Sequence, residues 1–242
     1  SFHYARSLFV SGDNLYVAGY GWSDPEPNRR ALIWKNDDEK KVIELTKGEK
    51  NAYAHSVFVS KGVVYTTGYE YDATRGYVPV LWKNKNRTAL VDDATTVGVA
   101  NSIFVLNDDV YVVGWRLETG GTGTATLWIN GNPTYLTANE SDAFSVFIAD
   151  NRVYIAGMER LGGKMTAVLW VDGMPFMLSK DEADEARALS VFVIDNNIYV
   201  AGWEEDAGRK RAMLWTNKNT IELDAGATSA YAQSVYVVKR EK

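Results

Sequence analysis

Short apolar runs separated by two-residue polar turns recur along the whole chain at a fixed period. Runs such as Ser56-Val-Phe-Val and Tyr199-Val-Ala-Gly carry no 3.6-residue spacing and are too short for helices, so they read as strands. Superposed, they give columns. Ser7, Ser56, Ser102, Ser145, Ser190 and Ser234 open the units at spacings of 49, 46, 43, 45 and 44 residues. Tyr16, Tyr65, Tyr111, Tyr154 and Tyr199 follow, each three residues before Gly19, Gly68, Gly114, Gly157 and Gly202. Trp34, Trp82, Trp128, Trp170 and Trp215 come next, and Leu45, Leu90, Leu136, Leu178 and Leu223 close each unit.

Each unit divides into four segments: a (Ser-Val-Phe-Val-like), b (Val-Tyr-Val-Ala-Gly-like), c (Leu-Trp) and d (ending at the Leu). The a–b links, among them Gly12-Asp13, Lys61-Gly62, Asn107-Asp108 and Asn196-Asn197, and the c–d links Asn130-Gly131 and Asp172-Gly173 are rich in residues that tolerate the positive φ of tight hairpins. Each unit is therefore a four-stranded antiparallel meander. Segment a is apolar at nearly every position, which predicts burial on both faces. A period of this length with such units predicts an all-β fold, a β-propeller of five four-stranded blades. The units run over approximately 5–53, 54–99, 100–142, 143–187 and 188–231 of a single domain, 1–242, with a closing strand at 232–242. On this reading one terminal a segment closes the ring by pairing in the blade that holds the other terminus. The alternative is a six-bladed ring with an incomplete blade.

Charge changes the picture of partners rather than of fold. The formal net charge is −5, which disfavours nucleic acid, since neutralising phosphates needs a basic face. No apolar run approaches the roughly 20 residues of a membrane-spanning helix, so no transmembrane segment is expected, and the chain is read as a monomer. Cysteine is absent, which leaves no disulfide, thiolate metal site or thiol nucleophile.

In a meander the b–c and d–a connections share one end of the sheet, and here they are longer and more variable than the turns at the other end. The b–c loops are expected over Tyr20–Arg30, Tyr69–Val78 and Trp115–Ala125. Binding usually sits on such loops, held by a rigid frame. The residue after the column Gly is Tyr20, Tyr69, Trp115, Met158 or Trp203, and Trp22, Tyr71, Glu70, Arg116, Glu159 and Glu204 lie close by in sequence. Aromatic planes beside charged groups suit sugar rings, so Tyr20, Trp22, Tyr69, Tyr71, Trp115, Arg116, Trp203 and Glu204 are the candidate ligand-binding residues. A second variable column, between the Ala and Ser that open segment a, holds Arg6, His55, Asn101, Phe144, Leu189 and Gln233. Its polar members Arg6, His55, Asn101 and Gln233 are candidates for the mouth of a central channel.

Other chemistry is not signalled. His55 adjoins Ser56, but that Ser belongs to a column present in every unit and reads as structural. Neither a Gly-x-Ser-x-Gly elbow nor a phosphate loop occurs, and two histidines give no zinc pattern. Asp92-Asp93 and Asp181-Glu182 are short acidic patches without calcium-loop spacing, and the sequons at Asn86 and Asn139 are brief enough to be chance. No catalytic residue, metal or cofactor is expected. A glycosidase needs two carboxylates facing each other, about 5–9.5 Å apart; the cores of the a segments carry none, and only Asp142 and Glu185 precede such strands.

Units such as Ser190-Val-Phe-Val…Tyr199-Val-Ala-Gly202…Leu214-Trp215-Thr-Asn resemble repeats in secreted or lipid-anchored β-propeller proteins of Bacteroidetes-type bacteria, over essentially the whole chain. The resemblance implies an extracellular or cell-surface setting and brings no assigned activity. In blade number and repeat length the chain is also similar to the five-bladed, sugar-binding tachylectin-2 lectins. Their Gly-Gly-Trp and Asp-Asn-Trp motifs are missing here, so no binding residue carries over. The resulting expectation is a non-catalytic extracellular binding module, not an enzyme, with a glycan or a surface protein as ligand. A glycoside-processing propeller enzyme and an interaction scaffold are the alternatives.

Overall fold

The structure, a computed structural model, describes residues 2–23, 28–36, 42–91, 93–180, 182–223, 226 and 228–239. Asp92, Asp181 and residues 24–27 of the first b–c loop lie outside the described residues. Two compact units emerge, Ser1–Thr134 and Tyr135–Lys242. The described residues hold strands and turns but no helix, so no helix is long and apolar enough to cross a membrane.

The first unit holds three four-stranded antiparallel sheets, each in chain order. They are β1 (Phe2–Ser11), β2 (Asn14–Trp22), β3 (Arg30–Lys35) and β4 (Val42–Glu44); β5 (Asn51–Ser60), β6 (Val63–Asp72), β7 (Gly76–Lys83) and β8 (Asn86–Ala89); and β9 (Val97–Leu106), β10 (Asp109–Leu117), β11 (Thr124–Ile129) and β12 (Asn132–Tyr135). The second unit holds two meanders, whose sheets are bridged by a single parallel pair between Met165 and Glu185 among the described residues. These are β13 (Ser141–Ala149), β14 (Arg152–Leu161), β15 (Lys164–Val171) and β16 (Met174–Met177), then β17 (Glu185–Ile194), β18 (Asn197–Asp206), β19 (Arg209–Thr216) and β20 (Thr220–Glu222).

The turns have the chemistry the sequence calls for. Asn36, Asn84, Asn130 and Asp172 open the c–d turns at positive φ, and each accepts a hydrogen bond through Oδ1 from the amide of Leu15, Val64, Val110 or Val153 at 2.7–3.1 Å. The c–d turn thereby caps the start of strand b in the same sheet.

Strand a is longer than its apolar core suggests. Each a strand begins several residues before the column Ser and carries a β-bulge where the register slips, between Ala5 and Ser7, Ala54 and Ser56, Ala143 and Ser145, and Ala188 and Ser190; in β9 the slip likewise skips Asn101. The variable column Arg6, His55, Asn101, Phe144 and Leu189 consists of the bulged residues themselves. The bulge drives the strand's backbone against the column Gly on b. A Cβ on Gly68 or Gly114 would stand 2.9 Å from the carbonyl carbon of Tyr53 or Val99, and nearer still to its oxygen. These glycines are required for space, not for a left-handed φ.

Neighbouring a strands are linked through the Ser column. Ser7 Oγ accepts the Val57 amide at 3.4 Å, Ser56 Oγ the Ile103 amide at 3.3 Å, and Ser145 Oγ the Val191 amide at 3.2 Å. The structural Ser thus bonds to the next repeat rather than to its own local backbone. A phenylalanine ladder runs beside it, with Phe9–Phe58 and Phe58–Phe104 centroids at 4.4 and 4.8 Å in the first unit and Phe147–Phe192 at 4.8 Å in the second. The cores lie between adjacent sheets within each unit, where Trp82, Trp128 and Trp215 are buried.

The closing strand expected at 232–242 is not a strand within the described residues. Residues 230–239 run along the fifth meander instead, with the amides of Ala230, Ala232 and Val235 donating to Lys210 O, Gly202 O and Ser190 Oγ at 2.9–3.2 Å.

Candidate functional site

The residues proposed as b–c loop aromatics are strand residues. β2 continues through Tyr20 and Trp22, β6 through Tyr69 and Tyr71, and β10 through Trp115 and Arg116. Because they lie in ladders, their partners are fixed: Tyr4 faces Tyr20, Phe2 faces Trp22, and Tyr53 faces Tyr69. Those cross-strand pairs stack, at 5.1, 5.2 and 4.6 Å between centroids.

Contacts between sheets join the pairs into one run of rings across the first unit. Tyr20 meets Tyr53 edge-on at 4.7 Å; Tyr69 and Tyr71 both meet Tyr77 at 5.3 and 5.5 Å; Tyr77 reaches Trp115 at 6.4 Å. Each such pair adds about 0.5–1.5 kcal/mol beyond its buried area, so the rings hold one another in place without a ligand. Tyr20 is buried in the run, whereas Tyr4, Tyr71 and Tyr77 are 42–50% exposed.

Two guanidinium groups lie on these rings. Arg29 Cζ stands 4.9 Å from the Trp22 ring and 5.7 Å from that of Tyr53, and Arg29 Nη1 donates to Tyr53 Oη at 3.1 Å. Its own amide donates to Asn51 Oδ1 at 2.9 Å, which fixes the returning b–c segment. Arg6, an exposed bulge residue, lies over Tyr20 at 5.7 Å. The bulges also bring His55 together with Asn101, whose side chain hydrogen-bonds the imidazole, while the ring packs edge-on against Tyr69 at 5.3 Å. Burial, followed by the Arg6 charge, lowers the His55 pKa to about 4, so the imidazole is neutral at neutral pH. Burial, followed by the neighbouring Tyr53 and Tyr77 phenols, pushes the Tyr69 hydroxyl up from its usual range, so it stays a neutral donor.

Other candidates fall elsewhere. Strand alternation turns Glu70 away from Tyr69 and Tyr71, and it pairs with Arg87 Nε at 2.9 Å. Arg116 pairs with Glu118. In the second unit Trp203 and Glu204 offer no open surface. Trp203 is 4% exposed, packed edge-on against Tyr231 at 5.8 Å with Lys210 and Arg187 over its ring; Glu204 is 1% exposed and accepts the Lys180 amide at 3.3 Å. Glu159, in the same column as Glu204, accepts from Thr137 Oγ1 and Asn139 Nδ2 at 2.5 and 2.7 Å. Both carboxylates tie down the d–a loop entering their own meander, a structural task. Glu185 pairs with Arg187 at 2.7 Å, and Gln233 is exposed on the last segment. Among the described residues no cluster of His, Asp and Glu is arranged to hold a metal ion. Sequence reasoning missed Tyr4, Arg29, Tyr53 and Tyr77. The first and third were legible as aromatics two residues before the bulge; Arg29 carried no column signal.

No family model and no curated protein matches the chain. Solved structures do. TolB from Acinetobacter baumannii superposes with a TM-score of 0.58 at 9% identity, over 86% of this chain and 51% of that one. Pyrococcus horikoshii acylaminoacyl peptidase gives 0.52 at 14%, over 92% of this chain and 38% of that one. A GH43_12 protein retrieved from a capybara gut metagenome gives 0.44 at 13%, over 92% and 51%. The fold is a β-propeller fold of four-stranded sheets. The chain spans about half or less of these proteins' length, and at such identities the likeness is one of fold. It nevertheless corrects two expectations. Proteins that share the fold include an acylaminoacyl peptidase, so the fold gives no ground for the readings as a non-catalytic binding module and as a non-enzyme, and both are withdrawn.

Proposed function

We propose that this propeller processes glycosides and holds the sugar against the aromatic face of its first unit. The carrying observation is the continuous run of rings from Phe2 to Trp115, flanked by Arg6 and Arg29 and open at Tyr4, Tyr71 and Tyr77. Ring faces stack on the C–H faces of a pyranose, while phenols and guanidinium N–H groups meet its hydroxyls. The reading takes the five meanders as blades and residues 232–239 as the first segment of a further one, because the Val235 amide bonds Ser190 as Val191 bonds Ser145.

The test is release of new reducing ends from a panel of oligosaccharides and aryl glycosides. Cleavage of at least one, lowered about tenfold by Tyr71→Ala or Trp22→Ala through the loss of one stacking ring, supports the reading. A panel left intact by the folded protein overturns it.

A further inference from the structure

We infer that the saccharide recognised on this face is acidic, and that Arg6 and Arg29 receive its carboxylate or sulfate. The inference rests on the glycoside reading and narrows it to a substrate class.

The chain carries an excess of acid, 31 Asp and Glu against 26 Lys and Arg. Eight of the described arginines are paired with a described carboxylate. Arg75 gives its guanidinium to the Asp93 carbonyl. Arg6 and Arg29 differ: neither has a carboxylate partner among the described residues, and both lie on rings of the same aromatic run. They flank the Tyr20–Tyr53 contact from two sides, Arg6 over the first ring and Arg29 over the second.

A guanidinium laid on a ring keeps its in-plane N–H edge outward, the edge that takes a carboxylate or sulfate in bidentate fashion. Arg29 uses one N–H group on Tyr53 Oη and retains the others. Cations gathered over apolar rings attract an anion more strongly than they would in open water, because the rings exclude part of the solvent that would screen them. The groups around Arg6 do not supply that anion: His55 is uncharged at neutral pH, the Asn101 amide carries no charge, and the Tyr69 hydroxyl stays protonated. A neutral saccharide would use the rings, offer the guanidinium groups only its hydroxyls and leave both charges unanswered. A uronate or a sulfated sugar uses both.

The experiment is calorimetric titration of the full chain at low and high salt with trigalacturonate and its methyl ester, and with a sulfated chondroitin disaccharide and its unsulfated counterpart. The acidic member of at least one pair should bind about tenfold more tightly, the preference shrinking at high salt. Which pair shows it separates carboxylate from sulfate recognition. Arg6→Gln, at an exposed position, should reduce the preference severalfold. Arg29→Gln should do the same, with Arg29→Lys intermediate because charge remains without the planar fork. Equal binding within both pairs, or a preference that survives both arginine variants, overturns the inference. If neutral sugars bind and acidic ones bind no better, the glycoside reading stands and this one falls; if no saccharide binds, both fall.

Discussion

Replacing Gly68 with alanine tests the claim that the bulge of strand a, rather than backbone conformation, imposes the glycine column. A Cβ at Gly68 would lie 2.9 Å from the Tyr53 carbonyl carbon, closer to its oxygen, and 3.2 Å from Ala54 Cα. All three are backbone atoms of β5, held in the ladder with β6. Overpacking costs about 1–3 kcal/mol when side chains can give way; here a strand must move, so the upper end, about 3 kcal/mol, is expected. For a chain of this size 1 kcal/mol corresponds to roughly 2–4 °C in Tm, which gives a loss of about 6–12 °C by thermal circular dichroism. Tyr53 carries the obstructing carbonyl and stacks on Tyr69, so the near-ultraviolet tyrosine signal should change as well. Gly62→Ala is the control. Its φ is +77° and its Cβ would meet nothing within 4 Å, so it carries only the conformational cost of about 1–2 kcal/mol and leaves the aromatic signal intact. A Gly68→Ala protein no less stable than Gly62→Ala, with an unchanged near-ultraviolet spectrum, would refute the reasoning.

Other expectations follow from single contacts. Ser56→Ala leaves the Ile103 amide without its acceptor and should cost about 1 kcal/mol, seen as a lower urea midpoint at unchanged slope. Trp128 Nε1 donates to Leu90 O at 2.9 Å, whereas Trp170 Nε1 is buried without a partner, so Trp128→Phe should be about 1 kcal/mol more destabilising than Trp170→Phe; the reverse order in the same unfolding assay would be evidence against that bond. His55 titrates near 4 in the folded protein against 6.5 when free, so its contribution is full above pH 6.5 and is lost as the pH falls toward 4, because the unfolded chain takes up the proton first. The loss is bounded at about 3 kcal/mol, should vanish in His55→Asn, and predicts an imidazole NMR titration midpoint near 4; a midpoint near 6.5 sinks it.

The frame was legible in the sequence because every repeat states it again. The Ser, Tyr, Gly, Trp and Leu columns mark contacts that recur from sheet to sheet, and the turn residues name their own geometry. The bulge was not legible, since one extra residue leaves no trace in composition; it emerges only when Ala54 and Ser56 are seen to face Gly68 and Thr67. Likewise Trp115 and Trp203 share a column, but what covers each depends on residues far along the chain. Tyr231 and Lys210 close over Trp203, while Trp115 meets the exposed Tyr77. Glu204 was the avoidable miss, because strand alternation already turns it away from Trp203. Arg29 lies in the variable b–c segment, where the repeat gives no guidance, and its place is set by its contacts with Asn51, Tyr53 and Trp22.

The bulge also explains how one repeat carries a constant frame and a changing face. In the a strands the residue before the bulge is a fully buried Ala at Ala54, Ala100, Ala143 and Ala188, and the residue after it is the Ser whose hydroxyl links neighbouring repeats. Both are committed to packing. The residue between them sits outside the register, so its side chain changes without disturbing the ladder, the Ser bond or the close approach to the column Gly. In the first unit that position holds Arg6, His55 and Asn101, in contact with the ring run; in the second it holds Phe144 and Leu189. The bulge is therefore a point in each a strand at which a side chain stays free of the frame's packing. The concentration of polar bulge residues beside the aromatic run is what distinguishes the first unit from the second.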